Sequence, residues 1–461
     1  MPPAPGLKGI ARATVAAASG PTNGQAVGRR HRAASAAPQR TATLNPPPGE
    51  PGPQTPRFLE KREAILDAAA RQFNREGVKG ATLAGVARSV GLIANSLTYY
   101  YRRKEDLASA CFLRAIEVVT RLATAAGQWP TLDQRIRHFI GGWYGIQREI
   151  ALLQRPELIV FNEIKALPET HTAEVFSAYT QLFRAVRRLI GPPQGGSLER
   201  DSLNARAHLL LSTTMWMRVL VRRLDPDDYG LLADRVCDIL LDGLVAQEPV
   251  GPSMAVAPAA PDESATHPTA PEPTEAIGHD FLRAATALIN EQGYRGASIE
   301  RITARLNLTK GSFYHHHSHK DDLVGACFEQ TFATIRFVQA QARSQPGSGL
   351  QRLEWAANRL VRHQLSAQGP LLSVAAWSAL PAESRGDQLH TLESLTEKFR
   401  AFIVDGLIDR SVRPLDPSVA AQLVSALVNA AAELPMWVRG ATEDNAALLF
   451  ARPLLAGLRS A

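Results

Sequence analysis

One stretch of this 461-residue chain is written twice, and that duplication constrains the fold more than any other feature. Laying Ile65–Phe112 on Phe281–Phe328 needs no gap, at a constant offset of 216 residues, and 15 of the 48 positions are identical. They are Leu66, Ala68, Ala69, Asn74, Gly77, Gly80, Ala81, Leu92, Ser96, Lys104, Asp106, Leu107, Ala110, Cys111 and Phe112. Chance would supply only a few, so the chain carries an internal repeat and each copy must answer to the same packing rules.

Within the first copy, Ala81–Leu107 reads ATLAGVARSVGLIANSLTYYYRRKEDL. Thr82 is a good N-cap, and Leu83, Val86, Ala87 and Val90 follow at helical spacing. Gly91 interrupts them where a tight turn needs a positive φ; the second copy has Asn307 there, the other residue that tolerates this region. A second short helix starts near Ile93, with Leu92 and Leu97 able to face inward and Asn95, Ser96, Thr98 and Tyr99 outward. Two short helices at this spacing form a helix-turn-helix, whose second helix enters the DNA major groove. Arg102, Arg103 and Lys104 follow at once, where phosphates would lie.

The second copy resembles the DNA-binding domain of TetR-family transcription regulators. The residues that carry the resemblance are Gly293-Tyr294, Ser298–Leu306, the run Thr309-Lys310-Gly311-Ser312-Phe313-Tyr314-His315-His316, and Lys320-Asp321-Asp322-Leu323. The first copy is similar but departs from the pattern. Ala94-Asn95 stand where Lys310-Gly311 stand, Thr98 replaces the usual Tyr, and Tyr99-Tyr100-Tyr101 cover the positions of His315-His316-His317. The resemblance implies an all-α fold of two tandem modules, each a three-helix reading head followed by a helical regulatory and dimerisation domain. It implies double-stranded DNA and a small-molecule effector as partners, no cofactor, and a cytoplasmic protein that acts as a repressor. By matched position it assigns DNA contacts to Thr82, Asn95, Ser96, Thr98, Tyr99 and Lys104 in the first head, beside Arg102, whose place after the helix makes it a phosphate contact. In the second it assigns them to Ser298, Thr309, Lys310, Ser312, Tyr314, His316 and Lys320.

Charge and breaker residues divide the chain. The net charge is +7, and residues 1–56 carry six Lys/Arg against one Glu in an Ala/Pro/Gly-rich tail without a compact apolar core. That reads as a disordered basic arm rather than a secretion signal. Residues 57–107 form the first head and 108–248 the first regulatory domain. A Pro/Ala-rich linker follows at 249–273, then a second head at 274–323 and a second regulatory domain at 324–461. Helices are expected over Thr131–Gln154, Pro156–Ala166, Glu169–Ile190, Asp201–Leu224 and Asp227–Ala246, and no strand is expected anywhere. In the second module they are expected over Lys320–Ala342, Leu350–Ala367, Pro370–Ala379, Glu383–Asp409, Pro417–Trp437 and Glu443–Leu458. No membrane-spanning run stands out. Cys111, Cys237 and Cys327 read as small buried residues of a cytosolic protein, a redox switch being the minority alternative.

Aromatic residues on the regulatory helices are candidate effector contacts: Trp143, Phe161, Phe176, Tyr179, Phe183, Met215 and Trp216 in module one. Trp355, Trp377, Phe399 and Phe402 are their counterparts in module two. Most aromatics at helical spacing are ordinary core. The run His315-His316-His317-Ser318-His319 invites a metal reading, but neighbours on a helix point about 100° apart, so three in a row cannot close one site, and no metal is expected. An enzyme is the competing class. Phosphate-binding, dinucleotide, nucleophile-elbow and zinc-protease motifs are all missing, and Glu157 with Glu163 reads as helix-surface charge rather than an acid/base pair. An architectural DNA binder using the basic tail without an effector is the third class. Two pairings are open: an intramolecular pseudo-dimer through Asp201–Ala246 against Pro417–Leu458, or a homodimer with four heads. A linker of about 25 residues reaches roughly 25–30 Å as a coil, which allows either.

Overall fold

The computed structural model describes residues 55–191, 197–221, 224–246, 273–311, 314, 319–380 and 385–460. The basic tail, the 249–272 linker, Ser312, His316 and most of the histidine run lie outside them. Among the described residues the chain is all-α, with no strand; the one extended pairing is an isolated bridge between Val245 and Val412.

Module one begins with α1 (Pro56–Gly80), α2 (Leu83–Ser89), α3 (Ala94–Thr98) and the long α4 (Lys104–Ala126). α5 (Leu132–Ala151), α6 (Glu169–Ile190), α7 (Ser197–Trp216), the single turn α8 (Arg218–Val221) and α9 (Tyr229–Asp242) complete it. Module two repeats the plan. α10 (Pro273–Gly296) and α11 (Ile299–Arg305) precede α12 (Lys320–Ser344), α13 (Gly349–Leu365) and α14 (Arg385–Ile408). α15 (Pro417–Ala430), α16 (Leu434–Trp437) and α17 (Arg452–Ala456) close the chain. The repeat extends past the heads: α5 opens with a capping box between Thr131 and Gln134, α13 with one between Ser348 and Gln351.

Three expected helices take another form. Pro156–Ala166 and Pro370–Ala379 each run extended and then close in a 3-10 turn, at Phe161–Ala166 and Val374–Ala379. Each begins at a proline, which has no N–H to donate, and an asparagine from the neighbouring head takes the backbone bonds a helix would have used. Asn74 Nδ2 donates to the Leu158 carbonyl (2.9 Å) and its Oδ1 accepts from Val160 N (2.9 Å). Asn290 does the same with Leu371 (2.8 Å) and Ser373 (3.0 Å). The third is Glu443–Leu458, where Ala447–Ala451 widens to a π turn before Pro453 and only α17 is α-helical.

The joint between modules is made by the expected helix pairs. α7 packs on α15, α16 and the π turn, while α9 packs on α15 and α17. Leu209, Leu210, Val236, Leu240, Leu423, Leu427 and Leu454 on these helices are buried. His208, buried on α7, donates from Nε2 to the Ala430 carbonyl across the joint (2.8 Å), and its Nδ1 is hydrogen-bonded with Ser212 Oγ (3.2 Å). Arg235 pairs with Asp416 (2.6 Å) and Trp216 Nε1 donates to Gln422 Oε1 (3.1 Å). At one end the contacts are reciprocal. A Cβ on Gly243 would overlap the Leu455 carbonyl and one on Gly457 the Leu241 carbonyl, while Leu244 N donates to Leu455 O and Leu458 N to Leu240 O. Both glycines have positive φ, 69° and 88°. The two glycine turns thus meet with their roles exchanged.

The segment Pro417–Trp437 is long and apolar enough to cross a membrane by length and composition, contrary to the sequence reading. Its side chains are mostly buried in this joint, which accounts for their apolarity.

Candidate nucleic-acid interface and ligand cavity

Each head is built around its turn. Gly91 has φ 66° and Asn307 φ 54°, the left-handed conformation expected at both. Thr82 and Ser298 cap α2 and α11, accepting from Gly85 N (3.0 Å) and Arg301 N (3.3 Å). Their hydroxyls are therefore engaged in holding the helix whose start faces outward.

On α3, Leu97 is fully buried while Asn95, Thr98 and Tyr99 are exposed and Ser96 is half-buried. The three tyrosines divide by helical geometry. Tyr99 points out, Tyr100 stacks on Phe58 (centroids 4.9 Å), and Tyr101 enters the core. Arg102 is exposed beside them, and Lys104 is half-buried at the start of α4. In the second head Thr309, Lys310 and Tyr314 are exposed, and Lys310 is ion-paired with Glu300 on α11. Lys320 sits at the start of α12 with its ammonium on the Tyr294 carbonyl and 4.0 Å from the Tyr294 ring centroid. It pins α10 to α12 as well as carrying charge. Of the described residues that the sequence singled out, Thr82, Asn95, Thr98, Tyr99, Arg102, Thr309, Lys310 and Tyr314 are exposed, and Ser96, Lys104, Ser298 and Lys320 are half-buried. In head one that surface is the short helix α3 with Arg102 and Lys104 beside it, the arrangement that reads bases and meets phosphates.

Between the modules lies a cavity of about 510 Å³. Of the aromatic candidates, Trp143, Phe161, Phe176, Tyr179, Met215, Trp216 and Trp377 line it. Phe183 does not; it stacks on Trp437, a wall residue (4.1 Å). Trp355 is half-buried away from the cavity, and Phe399 and Phe402 are buried in module two. The walls come from both modules, including the end of α1 (Phe73, Asn74), the turn Phe161–Ala166, α14 and α15.

The polar wall groups are largely paired. Lys165 bridges Glu433 (3.0 Å) and donates to the Asn290 carbonyl (2.6 Å). Burial raises the Glu433 carboxyl, but the nearby Lys165 and His208 outweigh it and hold it below the ordinary value. Arg218 forms a buried ion pair with Glu157, which also accepts from Asn74 Nδ2 (3.1 Å). Glu157 is therefore not the helix-surface charge expected of it. Its run is extended, and Arg218 comes from 61 residues away, a partner that local spacing cannot reveal. Asn74 itself was visible as a polar identity between the copies, on a helix face otherwise apolar.

The three thiols are buried. Burial pushes Cys111 and Cys237 up to about 12 and Cys327 to about 11, so none is a poised thiolate. Among the described residues no cluster of three His, Cys, Asp or Glu could hold a metal.

A chain with two outward helix-turn-helix heads on one helical body is of the class of DNA-binding regulators. The family model for bacterial regulatory proteins, tetR family, matches residues 65–111 and 281–327, so both heads are TetR-family domains and the chain is a tandem TetR-like protein. It is similar to the Transposon Tn10 TetC protein of Escherichia coli, 39% identical over 55 residues, 12% of this chain and 28% of TetC's length. It is similar also to the HTH-type transcriptional repressor DhaR of Mycobacterium sp. (strain GP1), 26% identical over 154 residues, 32% of this chain and 77% of DhaR. Among solved structures, AibR in complex with isovaleryl coenzyme A and operator DNA is 19% identical, over 40% of this chain and all of AibR, with a TM-score of 0.32. The TetR-family regulator PfmR from Thermus thermophilus is 20% identical over 38% of this chain and 95% of its own length, TM-score 0.29.

Proposed function

We propose that this chain is a sequence-specific transcription repressor that reads double-stranded DNA with both heads as an intramolecular pseudo-dimer, and that a small molecule in the central cavity tunes it. The observation that carries the reading is the joint of α7 and α9 against α15 and α17 within one chain, with a head attached to each side. A tether also favours internal pairing, since it holds matching faces at roughly millimolar effective concentration. DhaR's description as a repressor supports repression over activation. The heads differ at Ala94-Asn95 against Lys310-Gly311 and Thr98 against Tyr314, so the favoured site is non-palindromic, with half-sites about one helical turn apart.

Selection of duplexes from a random pool, with light scattering on the free protein, tests this. A monomer near 49.9 kDa and an asymmetric two-part site are expected. A tight dimer on paired palindromes would sink the pseudo-dimer. Sequence-indifferent binding that disappears in salt would replace the repressor with an architectural protein.

A further inference from the structure

The two modules differ most inside. The large cavity reaches module one's head through Phe73 and Asn74 and is lined on α4 by Ala115 and Val119. Offset by 216 residues, α12 carries Thr331 and Ile335 at those positions, and Phe332 where α4 has Ile116. These larger side chains line a space of only about 40 Å³. That is little more than one water's share of liquid volume, about 30 Å³. Thr331 is committed as well, its hydroxyl accepting from Leu372 N (2.9 Å), and Phe328 packs edge-on against Trp377 (5.5 Å). Trp216, Val374, Leu392 and Asn429 touch both spaces and form the partition.

Charge decides what the open side accepts. Arg75 is paired with Glu76 (3.1 Å), Lys165 with Glu433 and Arg218 with Glu157. A charged ligand meeting Lys165 or Arg218 would have to break a pair and be desolvated itself, Arg385 on the same wall already donates to the Leu380 carbonyl (3.1 Å), and the aromatic walls reward apolar area.

We propose that the chain binds one effector rather than two, an uncharged, largely apolar molecule, in the inter-module cavity, module two's counterpart being closed by its own side chains. The proposal rests on the effector reading above and adds its stoichiometry, ligand class and route. One occupant reaches both heads. It touches α1 directly, and it lies against the turn whose Lys165 donates to the Asn290 carbonyl of α10.

The test is titration of the full chain with Nile red, an uncharged fused-ring dye, beside the anionic dye 8-anilinonaphthalene-1-sulfonate. One Nile red per chain is expected, bound at least tenfold tighter than the sulfonate. Met215→Trp and Leu389→Trp, wall residues from module one and module two, should each weaken it at least tenfold. Thr331→Ala with Phe332→Ile, restoring module one's residues, should raise the stoichiometry toward two. Two dyes per wild-type chain, tighter binding of the sulfonate, or indifference to both tryptophans would overturn the proposal. DNA affinity measured with and without dye is a separate readout. One dye per chain without any effect on DNA removes the effector reading and leaves the site standing.

Discussion

The surface each head turns outward and the seam by which it joins the body have diverged at different rates. Of the fifteen residues shared by the copies, only Gly80 is exposed in head one; the rest are buried or half-buried. The outward positions have changed: Asn95 faces Gly311 across the alignment and Thr98 faces Tyr314. The seam has kept Asn74 and Asn290 with the same bonds, and Cys111 and Cys327 with the same weak contacts to the Leu66 and Leu282 carbonyls (3.7 and 3.6 Å). What a head reads was free to drift; how it is held was not.

The seam is not identical in strength, and the largest test exploits that. Module one adds the buried Glu157–Arg218 pair, where module two, in the register set by the two asparagines, has Pro370 at the position corresponding to Glu157. Glu157→Ala strands Arg218 away from water and should destabilise the chain by about 3–5 kcal/mol. Denaturant unfolding checks this, and a loss under about 1 kcal/mol, the range of an exposed pair, would mean that the two seams are equivalent.

A smaller loss, about 1–3 kcal/mol each, is expected for Asn74→Ala and Asn290→Ala, because two backbone groups lose their partners. Asn74→Ala should cost more, since Glu157 loses a donor too. Equal values by the same unfolding measurement would remove the asymmetry.

The joint supplies a pH test. Burial lowers the His208 pKa from its ordinary 6.5, the opposing pull of Glu433 and the Ala430 bond being smaller. The unfolded chain therefore takes up the proton first, and stability should fall as pH drops below about 6.5. It should be flat with respect to this group above that value. His208→Gln should flatten the slope, read from unfolding midpoints on either side of about pH 6.5; an unchanged slope would clear His208 of the effect.

The smallest effect lies on the outward face. Lys104→Ala and Lys310→Ala should each reduce the salt slope of DNA binding by about one unit. Lys320→Ala should reduce it similarly and also lower the melting temperature, because Lys320 holds Tyr294. Identical melting curves for Lys310→Ala and Lys320→Ala would break that distinction.

The heads were legible from sequence because their logic is local. A cap, a turn residue and an apolar period lie close together in the chain, and Gly91 and Asn307 adopt the expected φ. The helix pairs of the joint were legible only through the family resemblance, and the sequence left open whether they meet within one chain. What escaped was set by distance along the chain. Asn74 finds Leu158 across 84 residues and Lys165 finds Glu433 across 268, and neither spacing carries a pattern. Helix propensity misled at Pro156–Ala166 because a side chain from another element satisfies that backbone. Aromatic count misled in module two, where Phe399 and Phe402 close the core instead of lining the large cavity.

The glycine crossing of Gly243 and Gly457 has an evolutionary corollary. In a symmetric dimer of separate chains, one codon change alters the axis twice at once, so a clash there is doubled before any remedy can appear. In this fused chain the two glycines are separate loci. Either can change while the other stays, and a bulkier residue on one side can be met by a concession on the other. Fusion therefore turns a position that a symmetric ancestor could scarcely alter into one open to stepwise exploration.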